Sequence, residues 1–311
     1  MQASKRIALP KEIKEKNILI PLRDIGLDYL GIVLSIAQYG YFQNIVSLIA
    51  AIILTGIFIY RLQIIGHDGL HYALAENKSV NDFITRYILL SPQFTPMSLN
   101  RTNHLNHHGK FATSEDADWQ YYQASDKNTK SKFYMWWANV IGFGFVFKIA
   151  HKLLFGKKTD AIQKKAANNK LEGLMKDFMA FAITQLIILT IFYFTLGWMY
   201  YFIIWVVAVF GVFIPLNTIR SFCEHSIPEP DDSATNRLYT FESNFLESFI
   251  IAPHNMNYHY EHHEYMYVPY YQLPQLKKLL MQADNGYVEH IRLSYWSHIK
   301  YFFSHLPILS K

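Results

Sequence analysis

The sequence predicts an all-α integral membrane protein with four transmembrane helices arranged as two hairpins, capped on the cytosolic side by helical segments that carry clustered histidines. Three observations predict it. Of 311 residues, 51% are hydrophobic and 16% aromatic, and the apolar residues gather in long runs instead of recurring at an amphipathic period. Two of those runs, Tyr29 to Tyr60 and Phe178 to Ile219, contain no Asp, Glu, Lys or Arg. The polar stretches beside them are rich in lysine.

The first 25 residues carry Lys5, Arg6, Lys11, Lys14 and Lys16 without the apolar core of a signal peptide, so the first spanning helix is expected to act as the insertion signal. Tyr29 to Tyr60 has a soft break at Tyr39-Gly40-Tyr41-Phe42-Gln43-Asn44. A pass needs roughly 20 residues, so this run makes a hairpin if its first helix begins near Leu27 and its second continues past Arg61. Phe83–Phe94 and Trp136–Phe147 are apolar but short, and are expected as interfacial or half-buried helices. Phe178 to Ile219 forms the second hairpin, with Leu196-Gly197-Trp198 as its turn and interfacial anchor.

Each hairpin returns the chain to the face it left. The N-terminal segment, the stretch from Lys148 to Lys165 and the tail with Lys277 and Lys278 are therefore expected on one side, and their lysines assign that side to the cytoplasm. No internal repeat or low-complexity tract divides residues 1–311, which read as one domain.

Net charge is +5, and the basic residues flank apolar runs; anionic lipid headgroups suit them better than nucleic acid does. The single cysteine, Cys223, excludes an intramolecular disulfide framework, a cysteine-based zinc site and an iron–sulfur cluster held by this chain alone. A metal here must be held by His, Asp, Glu or Asn.

Nine of the 14 histidines fall in four short segments beside the spanning runs. His67 and His71 lie four apart at the end of the second span. His104, His107 and His108 follow, then His225 just after the fourth span, then His259, His262 and His263. Spacing i, i+3, i+4 puts each triplet on one helical face, suited to converging on metal. One such pair is usually an ordinary surface or core pair. Three pairs or triplets beside membrane spans, on one expected side, point instead to metal. Imidazole suits Fe, Cu, Zn and Ni alike. A catalytic zinc takes three protein ligands, whereas two metals with an open position each use all nine rings. Apolar substrates at a membrane offer C–H bonds that no acid, base or nucleophilic side chain attacks, and iron with O2 is the natural oxidant. Asp68, Asp116, Asp118, Glu224 and Glu261 are positioned to accept the other N–H of a ligating ring, or to stand as solvated loop charges. Arg101 and Arg220 are candidates to pair with them or to hold an anionic headgroup. His254, five residues before His259, is a candidate to support the site from outside the ligand set. His151, His290, His298 and His305 are expected at the surface or an interface.

With these residues in view, the chain resembles the membrane fatty acid desaturase family over about residues 60–280. Three histidine boxes carry the resemblance: His67-Asp68-x-x-His71, His104-x-x-His107-His108 and His259-x-x-His262-His263. Their context agrees, in Glu115-Asp116-Ala117-Asp118-Trp119, Arg220-x-x-x-Glu224-His225 and Asn255-x-Asn257-Tyr258-His259. The resemblance implies four spanning helices, a cytoplasmic centre of two iron ions, O2 as co-substrate and a lipid or acyl-chain substrate in a narrow apolar channel. It makes the box histidines and His225 the expected iron ligands. Some relatives place an Asn four residues before the fourth-span histidine; here that position is Ser221, and Asn217 lies a turn further back.

The implied reaction abstracts hydrogen from a methylene and then from its neighbour, leaving a double bond, with O2 reduced to water. A hydroxylase or carotenoid ketolase of the same superfamily is the alternative. No His-Pro-Gly-Gly motif, flavin fingerprint or cysteine cluster is present, so an external electron donor of ferredoxin or cytochrome b5 type is implied. A transporter would place polar groups at mid-membrane, and both hairpins lack charge and histidine there.

Overall fold

The computed structural model describes residues 7–111, 113, 115–116, 161–225, 238–283 and 287–304. Its order is α1 (Lys11–Lys14), α2 (Leu19–Phe42), α3 (Ile45–Leu70), α4 (Lys78–Phe83), a π-helical turn (Ile84–Leu90), α5 (Met97–Lys110), α6 (Ala161–Thr195), α7 (Tyr201–His225), β1 (Thr240–Phe241), a second π turn (Glu247–Ile251), α8 (His259–Glu264), α9 (Leu273–Gln282), β2 (Ile291–Arg292) and α10 (Trp296–Ser304).

The turns that follow α2 and α6 fall at the breaks read from sequence. Gln43 takes a left-handed conformation (φ 46°), and Asn44 opens α3 by accepting from the Ser47 amide at 2.9 Å while the Ser47 hydroxyl accepts from the Asn44 amide at 3.2 Å. The second turn uses Gly197 at φ +103°, where any side chain would strain the backbone. Between the hairpins α3 and α7 touch at Gly56, where an added Cβ would land on Val212.

Three helices are long and apolar enough to cross a membrane: Ile45–Leu70, Leu171–Thr195 and Tyr201–His225. In the most apolar window of the second, only 22% of residues are buried inside the protein. The outward-facing Phe178, Leu186 and Ile187 require an apolar surrounding, which a bilayer supplies. Helix α2 departs from expectation. It begins at Leu19 instead of near Leu27, and its first half carries Arg23, Asp24 and Asp28. Its charge-free part, Tyr29 to Phe42, gives roughly 21 Å of helix against a hydrocarbon core of about 30 Å. Asp28 is buried, and Arg61 Nε of α3 donates to it at 2.6 Å.

The apolar segment Phe83–Phe94 is half-buried helix, as its length predicts. It wedges between α3 and α6, where Gln185 Nε2 donates to the Ser91 and Pro92 carbonyls at 2.9 Å and Trp205 Nε1 donates to the Pro92 carbonyl at 3.0 Å. Trp136–Phe147, the lysine stretch up to Asp160, Asp118, His151 and His305 lie outside the described residues.

The C-terminal part forms the cap. β1 pairs in parallel with β2, and the start of α8 is pinned to β1 because the Phe241 amide donates to the Asn257 carbonyl at 2.9 Å. His298 corrects the surface expectation. It is 1% exposed against Tyr239 and Phe241, and burial pushes it down to about 4, because α10 turns that side of its amphipathic surface inward. His290 also packs inward, stacked on Tyr260 at 4.0 Å.

Candidate metal centre

All four histidine segments meet at one end of the helical bundle. α3 delivers His67 in its last turn and ends at His71. That end is fixed by contacts from three directions. Arg101 of α5 donates from Nε to the Leu70 carbonyl at 3.0 Å and from Nη2 to the Gly69 carbonyl at 2.8 Å, placing a cation on the helix's last carbonyls, where the helix dipole favours one. Its guanidinium also meets Asp82 at 2.8 Å and the Tyr72 hydroxyl at 2.9 Å. Gly69, between the two box histidines, lies so close to Thr85 that a Cβ there would land on the Thr85 side chain. Asp68 accepts from the Tyr270 amide at 2.7 Å. Arg101 thus joins the first histidine segment to the helix carrying the second. Asp177 fixes that helix at its other end, accepting from the Ser98 amide at 2.7 Å and from Arg86 at 2.9 Å.

The nine rings form two adjoining groups. Ring nitrogens of His67, His71, His104, His108 and His262 lie within 4.8 Å of one another, as do those of His107, His225 and His263. His259 joins the second group, its Nε2 3.1 Å from that of His225 and its ring 4.5 Å from that of His263. The groups touch, with the His108 and His263 rings stacked at 4.1 Å. Each triplet is divided between them. α5 gives His104 and His108 to the first group and His107 to the second; α8 gives His259 and His263 to the second and His262 to the first. At about 100° per residue, positions i and i+4 sit roughly 40° apart while i+3 stands on the other side of them. The face is therefore shared between two centres.

The donor set fits metal ions. His104 Nε2 lies 2.8 Å from His71 Nε2 and 3.1 Å from His108 Nε2, which in turn lies 3.2 Å from His262 Nε2. A ring nitrogen has one hydrogen or one lone pair in its plane, so it cannot serve two such contacts. A cation at the point of convergence satisfies them together. For nitrogens about 2.1 Å from an ion, neighbouring ligands at right angles stand about 3.0 Å apart, in line with these spacings. Buried Nδ1 atoms of His67, His71 and His262, and Nε2 of His263, have no hydrogen-bond partner among the described residues. Burial, and then the neighbouring rings, hold His104, His108, His262 and His263 well below the usual imidazole range. His71 is pushed down to about 3 by burial and next by Arg101. Near neutral pH these rings are uncharged, the form that binds metal.

The carboxylates read from sequence divide in role. Asp116 meets His107 Nδ1 at 2.9 Å, fixing that ring's tautomer and leaving Nε2 for the second group. Glu224 lies 3.4 Å from His259 Nδ1 and accepts from Arg220 at 2.5 Å and from the Tyr295 hydroxyl at 3.0 Å. Glu261 turns away from the rings; it accepts from the Thr240 hydroxyl at 2.5 Å and from the Tyr287 hydroxyl, and burial pushes it up to about 7. Asp68 holds backbone. Asn217 accepts from Arg220 at 3.5 Å, and His254 meets Asp28 at 2.7 Å; neither joins a histidine group. Sequence reasoning left Arg101 and Arg220 undecided between carboxylate and headgroup; the signal for Arg101 was its place three residues before His104 on the same helix, with open carbonyls at the end of α3.

A model of the fatty acid desaturase family matches residues 44–296, more than four-fifths of the chain. The chain belongs to the fatty acid desaturase family. The match reaches further in both directions than the three boxes alone. Among curated relatives, the chain is 28% identical over 142 residues to the omega-3 fatty acid desaturase fat-1 of Caenorhabditis elegans, covering 44% of this chain and 35% of that one. It is 26% identical over 258 residues to the dihydrorhizobitoxine desaturase of Bradyrhizobium elkanii, covering 77% of this chain and 69% of that protein. The first similarity thus spans about a third of the nematode enzyme's length.

Proposed function

We propose that the protein is an O2-dependent desaturase of a fatty acyl or lipid chain, working at two iron ions held by His67, His71, His104, His108 and His262 on one side and His107, His225, His259 and His263 on the other. The observation that carries this reading is the pair of adjoining groups of buried and half-buried imidazoles whose nitrogens converge without enough protons to satisfy one another. Bound iron would supply the oxidising power, drawn from O2, that no side chain possesses. The chain's own residues hold and orient. Arg101 fixes the end of α3, Asp116 sets the tautomer of His107, and Glu224 faces His259 across Arg220 and Tyr295. Phe111 packs on His107, His225 and His263 and excludes water from that flank. Electrons come from a separate donor of ferredoxin or cytochrome b5 type.

In this reading the protein is multi-pass, with both termini and the histidine groups on the cytoplasmic side. Helix α2 is the fourth pass. Arg61 and His254 screen its buried Asp28, which reduces the penalty of carrying charge toward the bilayer. Both relatives are named as desaturases, which favours removal of two hydrogens over addition of oxygen. The test is expression with a reducing donor in a host of known lipid content, followed by mass spectrometry of total lipids. A product lighter by two hydrogens is expected. A gain of one oxygen would replace desaturation with hydroxylation, and unchanged lipids beside iron-loaded protein would overturn the lipid substrate.

A further inference from the structure

Beside the fourth histidine segment lies a cavity of about 360 Å³, reaching from Arg61 of α3 to Tyr258. Its fixed charges cancel in pairs. Arg61 Nε donates to Asp28 at 2.6 Å, the other Asp28 oxygen meets His254 Nε2 at 2.7 Å, and Glu242 at the rim pairs with Lys277. The remaining polar lining can both donate and accept: the hydroxyls of Ser243, Ser248 and Tyr258 and the amide of Asn257. Ser243 Oγ is buried and has no hydrogen-bond partner among the described residues, a costly arrangement unless something in the cavity supplies one. Two consecutive non-glycine residues on the wall, His254 (φ 51°) and Asn255 (φ 60°), are left-handed, a strain that packing must hold in place and that gathers at binding sites.

Two lining residues place the cavity near the metal centre. Arg61 precedes His67 by six residues on α3, roughly 9 Å along the helix. Tyr258 lines the cavity and the next residue, His259, belongs to the second histidine group. At its rim Phe245 stands 79% exposed, an apolar edge to the cavity.

We propose that this cavity takes the polar head of the substrate, and that the head it fits carries no net charge: a neutral or zwitterionic group of hydroxyl, ester or amide character, with the hydrocarbon chain continuing to the histidine groups. This rests on the desaturase reading and narrows it. A polyanionic carrier such as a coenzyme A thioester finds no surplus cation among these residues, because each one present is already paired.

The experiment measures equilibrium binding of one oleoyl chain in three forms, as lysophosphatidylcholine, as free oleate and as the coenzyme A thioester, to the full iron-loaded protein in detergent. The zwitterionic form is expected to bind at least about tenfold more tightly than the thioester. Ser243→Leu and Ser248→Leu, on different elements, each fill the cavity and are expected to weaken that binding by about tenfold with iron content unchanged. If Ser243→Leu prevents iron loading, Ser248→Leu alone carries the result. Tighter binding of the thioester, or unchanged binding in an iron-loaded variant, overturns the head-group assignment. Because binding is read without turnover, the outcomes separate: desaturated lipids in the host with unaltered variant binding reject this cavity and keep the desaturase, whereas selective head-group binding beside unchanged host lipids does the reverse.

Discussion

The two histidine groups use one residue type and share two helices, yet they are supported differently. In the second, carboxylates stand against the rings: Asp116 on His107 Nδ1 at 2.9 Å, and Glu224 3.4 Å from His259 Nδ1. In the first, no carboxylate is hydrogen-bonded to a ring among the described residues. Its order comes from backbone anchors instead, with Arg101 on the carbonyls of Gly69 and Leu70 and Asp68 on the Tyr270 amide. A carboxylate behind a ligating imidazole raises its basicity. The second group therefore has a carboxylate bonded behind one of its rings while the first is held by position, so ions bound in the two would meet unequal surroundings.

The largest break in this comparison is His262→Ala. It removes a ring from the first group and disturbs the helix that supplies the second, so iron measured per chain and turnover should both be lost; full activity in that variant would remove His262 from the ligand set. Next comes Arg101→Ala, which removes the guanidinium from the Leu70 carbonyl and from a Gly69 carbonyl that keeps Asn81 as a donor. A loss of about 1–3 kcal/mol in thermal or denaturant unfolding is expected, with reduced iron retention and partial recovery in Arg101→Lys. Asp116→Asn keeps the shape while removing the charge, and should weaken metal binding about 10–100-fold in competition with a chelator. Asp68→Asn is the sharpest control. Asn can still accept from the Tyr270 amide, so stability should fall by less than about 1 kcal/mol and iron content should match the parent. A large loss of iron there would mean that charge, not position, also governs the first group.

Much of this was legible in the sequence because it depends on local spacing. The triplets fix which rings share a helical turn, the charge-free runs fix three membrane-length helices, and Gly197 and Asn44 mark the turns. What escaped depends on contacts between distant segments. The division of His104, His107 and His108 between two groups needs α8 opposite α5, and no periodicity in one helix says where its partner stands. Asp68, next to His67, and Asp116, eight residues past His108, were equal candidates in sequence, but only Asp116 faces a ring; Asp68 faces the loop that brings Tyr270 close. The start of α2 was misplaced for a related reason. Its charges look out of place beside an apolar run until Arg61 and His254, from remote parts of the chain, are seen to pair with Asp28.

The crossed allocation of rings also acts as a ruler. Each of two short helices holds rings of both groups within about one turn, so the spacing between the groups is set by helix geometry, the stiffest a polypeptide offers, and not by the give of connecting loops. Breathing of the bundle would move both centres together while leaving the gap between them nearly constant.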